Sequence, residues 1–193
     1  MSTSNNNSQA GVESPAAGAG EPRTVPVWDP VVRIFHWSLV AAVLAAWASA
    51  EEARTLHETI GFVILGLLAL RIVWGFVGTR HARFADFVHR PSSVASYLVD
   101  MGRHRARRYL GHNPAGGAMI VMLLVALAAT CASGVLMLAG VGLGHRQWEE
   151  VHEIIVNMTL VLAGIHIAGV VVASLLHREN LIGAMISGRK RPM

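Results

Sequence analysis

The chain of 193 residues is 53% hydrophobic and only 15% charged, with 16 basic against 12 acidic side chains and a mean hydropathy of +0.46. Soluble proteins average about 25% charged residues, so this composition calls for lipid as solvent. It excludes wholesale disorder and a basic, soluble nucleic-acid-binding domain. The single cysteine, Cys131, excludes a disulfide framework, a thiolate zinc site and a haem attached through a CxxCH motif. Ten histidines in so weakly charged a chain are the unusual feature.

Residues 1–27 are rich in Ser, Asn, Ala, Gly and Pro without apolar periodicity, and read as a disordered tail with no cleavable signal peptide. Residues 28–193 read as one domain. Four apolar runs follow, approximately 31–50, 57–78, 117–140 and 151–177. Each reaches the roughly 20 residues that a helix needs to cross a bilayer. In lipid such runs must be helical, because every backbone group has to be satisfied within the segment. The expected fold is all-α, an integral membrane four-helix bundle.

Charge in the connectors predicts orientation. Between residues 80 and 113 stand Arg80, Arg83, Arg90, Arg103, Arg105, Arg107 and Arg108 against Asp86 and Asp100. The C-terminal tail adds Arg178, Arg189, Lys190 and Arg191. The two remaining connectors and the span starts beside them hold Arg54 and Arg146 against Glu51, Glu52, Glu58, Glu149, Glu150 and Glu153. The positive-inside rule then makes both termini cytoplasmic. HRARR reads as a topology and anionic-lipid signal rather than an RNA-binding run.

On this topology four histidines fall at two depths. His36 lies near the cytoplasmic start of the first span, His57 and His152 at the outer starts of the second and fourth, and His166 further along the fourth. Fourteen residues separate His152 from His166, which returns to within about 40° of the same helix face after a rise of ~21 Å. The natural pairings are His57 with His152 outside and His36 with His166 inside. Each histidine alone reads as an interfacial or hydrogen-bonded residue. Together they form two bis-imidazole sites of the kind two non-covalent haems need. Neither pair brings the further ligands that zinc or copper expects.

Arg71 repeats the same fourteen-residue interval after His57 and so faces the interior at the level of His166. An arginine there costs about 2.5–3.5 kcal/mol on insertion scales unless something offsets it. A haem propionate at the inner site would do so; snorkelling to the cytoplasmic headgroups along Trp74 is the other explanation. Gly61, Gly66, Gly134, Gly164 and Gly169 suit flat macrocycles and close helix packing equally. The third span has no histidine, and its Cys131, Met119, Met122 and Met137 read as packing residues. His81, His89, His104 and His145 read as solvated loop residues. His177 reads as the end of the fourth span, and His112, in GHNPAGG at the inner surface, as part of a helix entry or, less commonly, as a contact of the inner haem or a quinone headgroup. Glu58 and Glu153 each follow a ligand histidine as headgroup-level carboxylates.

WDPVVRIFHW, the outer His57, RIVWGFVG, the GHNPAGG turn and HEIIVNMTLVLAGIH followed by HREN together resemble the prokaryotic cytochrome b561 family, which overlaps with the cytochrome-b subunits of nickel–iron hydrogenases. The resemblance runs from Trp28 to Arg191. It implies a four-helix membrane protein with two haem b groups, ligated at His36, His57, His152 and His166, that passes electrons between the quinone pool and a redox partner. The expectation is an electron-transfer cytochrome, with membrane quinone at one end and a protein such as a c-type cytochrome at the outer face, in the bacterial cytoplasmic membrane. Two alternatives accompany it. One is a superoxide:quinone oxidoreductase, ranked lower because the acidic outer connectors repel a superoxide anion. The other is the cytochrome-b subunit of a hydrogenase-type complex. A proton or metal transporter is disfavoured, since neither broken spans nor inverted repeats are visible.

Overall fold

The computed structural model describes residues 24–192. Four long helices carry the fold: α1 (Pro30–Ser49), α2 (Arg54–Val77), α5 (Pro114–Ala139) and α6 (His145–His177). All four are long and apolar enough to cross a membrane. Short helices α3 (Phe84–Phe87) and α4 (Pro91–Gly102) lie in the connector between α2 and α5, after a single 3₁₀ turn at Arg80–Ala82, and α7 (Leu181–Ser187) follows α6.

Local chemistry sets the helix ends. Asp29 caps α1 by accepting from the Val32 amide at 2.9 Å, with Pro30 at the first helical position. Asn113 and Pro114 repeat the device on α5, with Asn113 Oδ1 accepting from Gly116 at 2.7 Å. Gly140 then ends α5 in the left-handed conformation at φ 62°. The last helix differs from expectation. It begins at His145, not 151, because RQWEE is itself helical, with an Arg146–Glu150 pair at 3.3 Å one turn apart. His145 is therefore helical rather than in a loop, and His152 sits two turns into the helix rather than at its start. At 33 residues α6 is ~50 Å long, well beyond a ~30 Å hydrocarbon core.

Packing runs in sequence order. α1 packs on α2, α2 on α5, and α5 on α6. A core of Ile64, Leu68, Leu127 and Cys131, surrounded by Leu39, Ala42, Val43 and Ala46, joins the first three of these helices and takes nothing from α6. Cys131 is thus a packing residue, as expected. The fourth helix leans on α5 and leaves its other flank, toward α1 and α2, without extensive helix–helix packing. Outward faces are apolar and exposed, as at Ile34, Trp47, Phe62, Val125 and Val161. Such a surface is stable only against hydrocarbon.

The two ends of the bundle are unlike. One is closed by the short turns at 50–53 and 140–144, and it carries Glu51, Glu52, Glu58, Glu149, Glu150 and Glu153. The other holds both ends of the described chain and the long arginine-rich connector. There Val25–Pro26 (β1) pairs antiparallel with Arg189–Lys190 (β2), and the Val27 and Trp28 amides both donate to the Gly188 carbonyl. Gly188 is held at φ 79°, where a Cβ would stand 2.7 Å from the Trp28 carbonyl oxygen. Of the tail assigned to residues 1–27, Thr24–Val27 is thus tied down; the other residues lie outside the described ones. Backbone pairing of this kind needs no apolar periodicity, so composition gave no sign of it.

A buried ion cluster clamps this end further. Arg108 reaches Glu179 at 2.7 Å, and Lys190, also buried, lies 3.4 Å from the same carboxylate. Lys190 Nζ also donates to the Tyr109 and Leu110 carbonyls at 3.1 and 3.0 Å. Burial alone would raise the Glu179 carboxyl, but the Arg108 hydrogen bonds and the nearby cations outweigh it and hold it below its ordinary range.

Candidate functional site

At the acidic end the structure brings His57 and His152 together. Their ring centres are 6.2 Å apart and their planes cross at 84°. Each imidazole is tied through Nδ1. His57 Nδ1 meets the Ala46 carbonyl at 2.8 Å, a group in the last turn of α1 that has no helical amide to accept from. A carbonyl can only accept, so Nδ1 carries the proton and Nε2 keeps its lone pair. His152 Nδ1 meets Ser133 Oγ of α5 at 2.8 Å, leaving its Nε2 free of protein partners as well. This is the tautomer a metal-ligating imidazole adopts when a second group orients it.

The spacing fits an iron porphyrin. His57 and His152 could hold a haem iron between their Nε2 atoms, since metal–nitrogen distances of about 2.0 Å and about 1.1 Å from each nitrogen to its ring centre sum to ~6.2 Å. Gly134 lies beside the His152 ring, where a Cβ would come within 3.5 Å of Cε1. Positions Gly61 and Gly66 on α2 and Gly164 and Gly169 on α6 meet nothing within 4 Å. Space for a flat group lies along the flank of α6 toward α1 and α2, which lacks extensive packing, with Gly61 one turn from His57 on the facing side of α2. Among the described residues there is no cluster of three or more His, Cys, Asp or Glu side chains fit for a bare metal ion.

The second pair is looser. His36 packs edge-on to Trp37 at 5.1 Å, and its Nδ1 is buried with no hydrogen-bond partner. His166 is half-buried on α6, and no hydrogen bond or ring contact joins it to His36 among the described residues. Nearby Arg71 points inward and does not snorkel: it is 4% exposed, with its guanidinium 5.3 Å from the Phe84 ring centre and 5.7 Å from that of Phe87. Such cation–π contact offsets part of the cost of a buried charge, yet Arg71 Nη1 has no partner. The orphaned polar atoms at this end fit a bound group that carries its own acceptors.

His112 was read as part of a helix entry, and it is more than that. It is stacked between Trp28 at 4.4 Å and Phe87 at 5.0 Å, and its Nδ1 is buried and unpartnered. Burial, reinforced by the Arg71 and Lys190 charges, pushes its pKa down to about 3. His81 and His89 are not freely solvated either. His81 Nδ1 pairs with Asp86 at 2.9 Å and His89 Nδ1 meets the Phe87 carbonyl at 2.8 Å. Ser133, small and uncharged on an apolar helix, is missed in the sequence, as are Phe84 and Phe87 beside Arg71 and the Ala46 carbonyl on His57.

The family described as prokaryotic cytochrome b561 matches residues 27–188. The chain belongs to that family. Membership implies haem b as cofactor and, with four membrane-spanning helices, makes this a multi-pass protein of the bacterial cytoplasmic membrane that takes part in electron transport. Three similar proteins are each named as a probable Ni/Fe-hydrogenase B-type cytochrome subunit. The one from Rhizobium leguminosarum bv. viciae is 26% identical, covering 88% of this chain and 90% of the relative. That from Bradyrhizobium diazoefficiens is 26% identical over 94% and 93%, and that from Azotobacter vinelandii 27% identical over 85% and 87%. No solved structure matches the chain.

Proposed function

We propose that this b561-type cytochrome carries electrons across the membrane through two haem b groups, one held by His57 and His152 and one by His36 and His166. The observation that carries the reading is the outer pair: two imidazoles 6.2 Å apart, each with Nδ1 occupied and Nε2 free. Held by His57 and His152, haem would supply a one-electron ferric/ferrous couple, and a second imidazole ligand would leave no position for oxygen. Arg71, whose buried Nη1 has no partner, would be the residue to pair with an acidic group of the second haem. The excess of arginine puts the termini and the 80–113 connector on the cytoplasmic side.

Membrane quinone exchanges electrons at one end. At the other, Glu51, Glu52, Glu149 and Glu153 stand without a salt-bridge partner among the described residues, whereas Glu58 and Glu150 pair with Arg54 and Arg146. The resulting negative rim attracts a basic redox protein such as a c-type cytochrome. A second reading, the membrane subunit of a hydrogenase-type complex, is favoured by the names of the three relatives and by their near full-length coverage.

Haem counting on the purified chain tests the proposal. Two haems per chain and a b-type reduced-minus-oxidised spectrum are expected; a colourless protein, or one haem per chain, overturns it. Rapid quinone-linked oxidation of superoxide would reverse the ranking of the oxidoreductase alternative.

A further inference from the structure

Helix α5 has no histidine, yet it reaches the outer site through Ser133. This side chain is 2% exposed, and its Oγ lies 2.8 Å from His152 Nδ1. A serine hydroxyl has a single proton to give, and here Oγ donates it to the Thr130 carbonyl at 2.9 Å. The oxygen therefore turns a lone pair to the imidazole and accepts from Nδ1–H. Gly134, the next residue, leaves the ring edge against bare backbone. His57 is held by an acceptor from a different helix, the Ala46 carbonyl, and the two rings cross at 84°.

We propose that Ser133 is a positioning residue for the outer haem: it holds His152 in the Nδ1–H form, crossed with His57, and so sets both the donor strength and the ring plane of an iron ligand. The inference rests on the haem reading above. An acceptor on Nδ1–H pushes electron density toward Nε2 and favours ferric over ferrous iron. Crossed axial planes give a highly anisotropic low-spin EPR signal, whereas planes nearer parallel give a rhombic one. Neither property would respond if Ser133 merely filled space.

The full chain, purified with its haems, is compared with Ser133→Ala and Ser133→Thr by haem content, redox titration and EPR. The alanine variant is expected to keep two haems, to move one midpoint potential upward with the other unmoved, and to shift one EPR signal from anisotropic toward rhombic. Threonine, which keeps the hydroxyl, restores both. An alanine variant with both haems and parental potentials and EPR overturns the role of Ser133 and leaves the haem ligands standing. Loss of one haem in alanine but not in threonine supports the hydroxyl; loss in both overturns it. A parent without haem overturns the ligand assignment, and Ser133 with it.

Discussion

The two ends of the bundle solve the same problem in different ways. At the acidic end, tight turns bring His57 and His152 to ligand-pair spacing and each ring is oriented by a protein acceptor before anything binds. At the basic end, His36 Nδ1, Arg71 Nη1, His112 Nδ1 and His177 Nε2 are all buried without partners. Leaving a buried polar atom unmet costs about 1–3 kcal/mol. On the proposed reading, the first site is preorganised and the second is completed by what it binds.

The largest expected effect breaks the comparison outright. His57→Ala and His152→Ala should each lose one haem, and His36→Ala and His166→Ala the other, as read by haem content and difference spectra. A variant that keeps both haems removes that histidine as a ligand. Next comes the asymmetry itself. Haem removal should leave the 50–53 and 140–144 turns protected from hydrogen exchange while exchange rises in the connector and the 181–192 tail. Equal protection at both ends would abolish the contrast.

Glu179→Gln should loosen the basic end alone. Stranding buried Lys190 and half-buried Arg108 costs up to about 3–5 kcal/mol, less as Arg108 meets water. Limited proteolysis should then release the C-terminal segment, with the outer haem unaffected. The native pair is fully formed above the unfolded carboxyl value of 4.5 and is lost only as pH falls through the lower folded one.

His112 sharpens the comparison in the pH domain. Its pKa falls from 6.5 to about 3 on folding, so below pH 6.5 the unfolded chain binds a proton that the folded one refuses. Stability should fall on acidification from 6.5 toward 3, by at most about 1.4 kcal/mol per pH unit. His112→Phe should flatten that slope between pH 6.5 and 5 in thermal melts. The smallest effect is Arg71→Met, which should lower the midpoint of the basic-end haem by removing a cation and leave the other unmoved.

Much of this was legible in the chain. The pairing of His57 with His152 followed from depth and helical phase, and Arg71 is buried as its spacing from His57 suggested. Ser133 was not seen, although a signal existed. It stands seven residues before Gly140 and His152 eight after Gly144, so the hairpin sets them at one depth. Ala46 and His57 are likewise four residues from either side of the 50–53 turn. Depth from both arms of a hairpin, not one helix's periodicity, carries that information.

Apolar length, the placement of charge and the fourteen-residue histidine interval alone determined four membrane helices, one basic and one acidic end, and two levels of imidazole. These are properties of single helices in a bilayer, where backbone hydrogen bonding leaves no other choice. Only the tertiary structure decided which acceptor orients each imidazole, that α6 leans on α5 and leaves its other flank unpacked, and that His112 and Glu179 are buried. Those outcomes depend on contacts between residues distant in the chain, and a short hydroxyl or a backbone carbonyl has no pattern along the sequence that announces its partner.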